Sequence, residues 1–229
     1  MPRPLSLSAE PHGLESEGSS FRRLAIGCGG RHLPAMAITV QPARAPRRVR
    51  GLGYDPDQAC AHLAAADPVL GEIIQRTGTC VLRPPWGHSL FDALLRSIVY
   101  QQLSGKAADT ILSRVVGLYA PAPTPDPAAL LATADAVLRS AGLSGNKTAA
   151  IKDLARRALA GTIPTLAQAR ELRDDELVER LTVVRGVGRW TVEMLLIFRL
   201  GRPDVLPVDD LGVRKGFQRA YGMRRLPAA

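Results

Sequence analysis

Between Leu177 and Leu200 one apolar-periodic segment runs into Arg185-Gly186-Val187-Gly188, and a second, more apolar segment begins at once. Apolar residues at helical spacing on both sides make this two helices joined by a very short turn. Two glycines one residue apart let the backbone turn tightly and let another surface come close. Val187 between them is expected to anchor the turn in the core. The start of the second helix then presents free N–H groups and the positive end of a helix dipole, a ready site for phosphate. Arg185 and Arg189 add charge beside it, and the Thr191 hydroxyl can donate to a phosphate oxygen. Gly-x-Gly alone would equally suit a helix that ends on glycine before a new one starts. The preceding helix, the apolar middle residue and the flanking arginines together mark a helix-hairpin-helix. Such a device holds a nucleic-acid backbone without reading bases.

The rest of the chain from about Tyr54 agrees with an all-α fold of roughly ten helices. Asp55-Pro56 and Asp67-Pro68 each read as an N-cap followed by Pro at the first helical position, the second helix ending near Gly78. Cys80–Pro85 is short, apolar and broken by two prolines, a candidate extended piece. Helices are expected over Ser89–Gln102 and Ser104–Tyr119. Pro121–Pro127 reads as a linker, and Ala128–Thr133, Asp135–Ser140, Lys147–Ala160 and Leu172–Leu181 as further helices. Residues 1–50 differ from this pattern, being rich in Gly, Pro, Ser and Arg and ending in the basic run Arg44–Arg50. They are expected to be a disordered or mis-annotated extension, translation starting instead at Met36, and residues 51–229 to form the folded domain of two helical lobes. A peptide from residues 1–35 in the native protein would disprove the later start.

The net charge is +9, a surplus that suits a polyanionic partner. Cys28, Cys60 and Cys80 form no CxxC pair, so neither a disulfide framework nor a zinc or iron–sulfur site can be assembled from them. No cofactor and no metal are expected, and a reducing cytoplasm is the default. No apolar run approaches the roughly 18 residues a membrane span requires, and the N-terminus lacks the pattern of a secretory signal.

Two adjacent acids, Asp209 and Asp210, follow the hairpin in Pro207-Val208-Asp209-Asp210-Leu211, where another helix opens. They could be capping residues and nothing more. Alternatively one carboxylate faces the nucleic-acid cleft while its neighbour caps the helix. An acid close to a polyanion needs a reason, and stabilising positive charge developing on a sugar is one.

Gln101-Gln102-Leu103-Ser104 after an apolar helix, Gly142-Leu143-Ser144 with Lys147, Gly188-Arg189-Trp190-Thr191 and Pro207-Val208-Asp209-Asp210-Leu211 occur in that order. The ordered set resembles the helix-hairpin-helix DNA glycosylase superfamily, specifically its DNA-3-methyladenine glycosylase II branch, over about residues 54–225. The resemblance implies a two-lobed, all-helical protein that binds damaged double-stranded DNA as a monomer, at the nucleoid, with the flipped base between the lobes. It implies an Asp that supports cleavage of the glycosidic bond. The register favours Asp210, with Asp209 the alternative and otherwise the helix-capping neighbour. Gln101, Gln102 and Leu103 stand where the family drives a wedge into the duplex, and Ser104 and Lys147 are assigned to DNA with them. Tyr100 and Trp190 are the preferred candidates for stacking on an electron-poor base, ahead of Trp86 and Phe91.

Strand-cutting members of the superfamily carry a Lys where this sequence has Trp190. The four-cysteine cluster is missing too, as is the β-rich N-terminal domain of the best-known alkylbase form. A compact monofunctional enzyme leaving an abasic site is expected. The competing readings are a glycosylase of the same fold acting on another lesion, and a helix-hairpin-helix binding module without catalysis.

Overall fold

A computed structural model describes residues 52–80, 82 and 89–229. The expectations for residues 1–50, for the start at Met36, for Trp86 and for four of the six residues of the Cys80–Pro85 piece lie outside the described residues.

Eleven α-helices and no strand occur among them: α1 (Pro56–Ala66), α2 (Pro68–Thr77), α3 (Leu90–Tyr100), α4 (Gly105–Gly117), α5 (Pro127–Ala132), α6 (Asp135–Ser140), α7 (Gly145–Leu159), α8 (Leu166–Glu171), α9 (Asp174–Thr182), α10 (Arg189–Leu195) and α11 (Leu211–Ala220). The helix starts follow local chemistry. Asp55 and Asp67 accept from backbone N–H groups of α1 and α2, each with Pro in the first helical turn. Ser89 and Asp92 close a reciprocal capping box on α3. α8 was not expected. Its signal is the capping box of Thr165 and Gln168, but six residues are too few for an apolar period to show.

The core is built on α3 and α7. Leu90, Phe91, Leu94, Leu95, Ile98 and Val99 of α3 are buried, as are Ala150, Ile151, Leu154 and Ala155 of α7. Each fully buried Leu or Ile contributes roughly 1.5–3 kcal/mol, so these two helices form a firm platform. α9 adds Leu177 and Leu181, and α10 adds Val192 and Leu195. Phe91 belongs to this core and takes no part in a site.

Beyond Leu195 the helix continues as a π-helical turn over Leu196–Leu200, a second feature not expected from the sequence. Gly201 ends it in the left-handed region, φ 66°, where an L side chain is strained. At the other side of the domain α1 and α2 pack closely. A Cβ on Gly71 would lie 3.2 Å from the Ala64 carbonyl oxygen. The Tyr221 hydroxyl, just past α11, donates to Asp67 Oδ2 at 2.8 Å and so joins α11 to the α2 cap. Among the described residues no helix is long and apolar enough to cross a membrane.

Candidate nucleic-acid interface and active site

The hairpin rests on α7. Val187 is buried at 4 % exposure, as expected of an anchor, and Val184 at 1 %. Its two glycines do different work. Gly186 has φ +77°, which a residue with a Cβ adopts only at a cost. Gly188 is the N-cap of α10 with φ −97°, a conformation open to any residue, and a Cβ there would meet nothing within 4 Å. Gly186 therefore serves the fold, whereas Gly188 leaves a bare, exposed backbone with open space around it. No side chain caps α10, so the first N–H groups of this helix are not used by a capping group.

Asp153 of α7 fastens the hairpin. Its Oδ2 accepts from the Arg185 backbone N–H at 2.9 Å and from Arg157 Nε at 2.8 Å, and Oδ1 pairs with Arg156. Burial pushes the Asp153 carboxyl up, but the Arg185 N–H and the two guanidinium groups outweigh it and hold it below the usual carboxylate range. The sequence reading did not single out Asp153; an acid in mid-helix carries no signal of a contact 32 residues away. Arg185 keeps an exposed side chain beside the turn. Arg189 is exposed too, but its Nε lies 3.0 Å from Glu193, a buried carboxylate one turn on. Its charge is therefore shared with the protein. That i,i+4 pair was legible in the spacing.

The turn after α3 faces the hairpin. Gln101 ends the helix, Gln102 takes φ +58°, alone among the described non-glycine residues, and Leu103 N–H returns to the Tyr100 carbonyl. Gln102 and Leu103 are displayed at the surface, Leu103 at 39 % exposure. Gln101 is not a free wedge residue, because its Nε2 donates to the Gly186 carbonyl at 2.8 Å. Lys147, expected on DNA, turns inward instead. Its Nζ donates to the carbonyls of Val99 and Gln101, both at 2.7 Å, because the end of α3 leaves those acceptors without helical partners. Burial pulls its ammonium below the ordinary lysine range. Ser104 likewise has a local task, capping α4 through the Ala107 N–H.

Between this turn and α10 lies an open cavity of about 470 Å³, lined by Ser97, Tyr100, Gln101, Gln102, Trp190, Thr191 and Met194. No lining side chain is charged. Thr191 is 6 % exposed and lines this cavity, so it does not stand out as an outward phosphate ligand. Trp190 is 46 % exposed. Tyr100 is half-buried, with the Arg96 guanidinium 4.1 Å over its ring and its hydroxyl donating to Asp109. One face of Tyr100 is thus already covered. A second cavity, of about 380 Å³ and lined in part by Leu95, Leu112 and Arg199, contains none of the expected site residues.

Asp210 meets the cavity through Trp190, whose indole Nε1 donates to Asp210 Oδ2 at 2.8 Å. The other oxygen, Oδ1, accepts from the Val213 N–H at 2.8 Å and makes Asp210 itself the N-cap of α11. This corrects the expectation that Asp209 would cap while its neighbour faced the site. Asp209 is exposed, and one carboxylate does both. The Val213 N–H and the Trp190 N–H favour the ionised form, and together with the Gly212 N–H they outweigh partial desolvation, so Asp210 lies below the usual carboxylate range.

The arrangement therefore combines a firmly ionised carboxylate, an aromatic wall on a neutral cavity, a displayed turn and an uncapped helix start. DNA-3-methyladenine glycosylase 1 of Schizosaccharomyces pombe is 39 % identical over 137 residues, 60 % of this chain and 60 % of that protein. The chain thus spans about three fifths of that relative's length. The solved structure of a Schizosaccharomyces pombe 3-methyladenine DNA glycosylase in complex with abasic DNA is 34 % identical. It matches with a TM-score of 0.65 over 75 % of this chain and 84 % of that one. A DNA-3-methyladenine glycosidase from Bacillus halodurans is 35 % identical, with a TM-score of 0.65 over 72 % of this chain and 74 % of that one. Residues 95–229 match the HhH-GPD superfamily of base excision DNA repair proteins, and the chain belongs to that family.

Proposed function

We propose that this protein is a monofunctional DNA glycosylase that hydrolyses the N-glycosidic bond of alkylated bases of the 3-methyladenine type in duplex DNA. It leaves an abasic site in an intact strand and acts as a monomer at the nucleoid, with residues 51–229 as two helical lobes around the DNA. The observation that carries this reading is the Asp210 carboxylate, held by the Trp190 indole N–H at the edge of a neutral cavity with an aromatic wall. The relatives named as 3-methyladenine glycosylases support the same activity, and the abasic-DNA complex supports DNA as the partner.

The hairpin, with Arg185 and Arg189, grips the backbone, and Gln102 and Leu103 press into the duplex as the target nucleotide turns out. Damaged and poorly paired bases cost less to extrude. The extruded base enters the cavity against the free face of Trp190, where a cationic ring is favoured by the indole quadrupole. A base already carrying positive charge departs with the bonding electron pair as a neutral molecule, so no strong general acid is needed. Asp210 stabilises the oxocarbenium-like sugar that remains. Water then adds its oxygen to C1′ and gives up a proton to solvent.

Among the described residues no amine lines the cavity, and the nearby Lys147 ammonium is committed to two carbonyls. A covalent imine to the sugar therefore has no nucleophile, which supports an intact strand. The test is release of free bases from methylated duplex DNA by the wild type and by Asp210→Asn. Release by the wild type alone supports the proposal. Absence of release with DNA binding intact would favour a binding module, and nicking without alkali would contradict the monofunctional mechanism.

A further inference from the structure

The carboxylate of Asp210 is held at both ends: Oδ1 by the Val213 N–H at 2.8 Å and Oδ2 by Trp190 Nε1 at 2.8 Å. Two residues on, Gly212 occupies the first turn of α11. Its backbone has no positive φ, so nothing in the helix demands glycine there. Glycine is in fact the poorer choice, since alanine is favoured over glycine in helices. A Cβ at this position would lie 2.9 Å from Asp210 Oδ1, and among the described residues no other heavy atom comes within 4 Å apart from its chain neighbours and the backbone of α11 itself. Among the described residues, what a side chain at 212 meets beyond its own helix backbone is therefore the seat of that carboxylate.

We propose that Gly212 is a positioning residue: its missing Cβ is what allows Asp210 to keep one oxygen on the α11 backbone and the other on the Trp190 indole. Trp190 has a second task under this arrangement, as the donor that fixes the direction of the carboxylate as well as a wall for the base. The inference rests on the reading of Asp210 as the group that acts on the sugar. In Gly212→Ala the fold has no reason to fail; the carboxylate rotates instead, because the oxygen is the movable partner of the clash. A displacement of this kind, well under the size of an atom, is enough to matter for a reacting group.

The test joins two readouts. The first is single-turnover base release from methylated duplex DNA across pH, for wild type, Gly212→Ala and Trp190→Phe, with melting temperature and DNA affinity measured alongside. Gly212→Ala is expected to melt close to the wild-type temperature, the helix-propensity gain of alanine offsetting a weakened cap, and to bind DNA as well, yet to lose about ten- to a hundredfold in rate. Its acid limb should move to higher pH, since the donors that favour the ionised carboxylate have been weakened. Trp190→Phe keeps an aromatic wall but removes the donor, and should show the same shift in the acid limb. The second readout needs no activity. The chain has two tryptophans, so the Trp190 indole N–H resonance, assigned by its loss in Trp190→Phe, can be followed as Asp210 titrates. In Gly212→Ala that resonance should shift and its midpoint rise.

Wild-type rate, acid limb and indole resonance in Gly212→Ala would overturn the proposal. Loss of rate with a lowered melting temperature and an unmoved indole resonance would overturn it too, in favour of a merely structural glycine. If Asp210→Asn releases bases like the wild type while the indole resonance still moves in Gly212→Ala, the seat stands and the reading of Asp210 as the reacting group falls.

Discussion

The starts of α10 and α11 lie about twenty residues apart and meet the same physical problem in opposite ways. Each helix begins with N–H groups that have no partner inside it. At Asp210 a side chain takes up one of them, and the helix start becomes a rigid holder for a carboxylate. At Gly188 no side chain does so, and the donors stay available beside an exposed surface. A capped start directs a charged group; an uncapped start leaves its donors without a side-chain partner. The Trp190–Asp210 hydrogen bond ties the two together, so the two helix starts cannot drift apart without breaking it.

Substitutions can break that contrast on either side. The largest effect is expected at the capped start. Asp210→Asn keeps a side chain able to cap the helix but removes the charge, and base release should fall about 10²- to 10³-fold, the scale of losing one preorganised electrostatic group. Asp209→Asn, on an exposed neighbour, should release bases at nearly the wild-type rate; the reverse result would move the chemistry to Asp209. At the hairpin, Gly186→Ala forces an L side chain to φ +77° and should cost about 1–2 kcal/mol in urea denaturation. Gly188→Ala should leave stability within about 0.5 kcal/mol and weaken DNA binding instead. Equal stability losses in the two would erase the distinction between a glycine for the fold and one for the partner.

Lys147→Met should cost about 1–2 kcal/mol by leaving two carbonyls at the end of α3 without their ammonium. It should loosen the Gln102 turn without changing the salt dependence of DNA binding, which would fall in slope if Lys147 met a phosphate directly. The smallest effect is one of pH. Asp153 has a depressed folded value, so the stability it lends the hairpin is fully present above the ordinary carboxylate value of about 3.9 and is lost as pH falls through the lower folded one. Hydrogen exchange at the Arg185 amide should therefore stay slow down to about pH 4 and quicken only below it. Quickening near neutral pH would mean Asp153 does not hold the turn.

Much of this was legible in the sequence, and for identifiable reasons. Asp-Pro pairs mark helix starts because the cap and the proline each satisfy a local rule, and α1 and α2 begin there. Val187 lay in the core because an apolar residue between glycines has nowhere else to go. Direction was not legible. Lys147 is basic whether it points at DNA or at a carbonyl, and only the fold brings Val99 and Gln101 to it across more than forty residues. Asp209 and Asp210 differ by one position, too little for a pattern to say which one caps. The π-helical turn at Leu196–Leu200 has the same apolar composition as the helix it extends.

The Tyr221 hydroxyl reaches Asp67 across 154 residues, and this has a consequence for how the chain is made. α1 and α2 leave the ribosome well before Tyr221, the partner that fastens the α2 cap. Until then the pair lacks that tie, while α3 to α10 can already assemble their core. Synthesis of the segment that carries Tyr221, not of α1 and α2 themselves, therefore fixes this pair of helices in place. A nascent chain stalled before Tyr221 should protect the α3–α7 core from protease well before it protects α1 and α2.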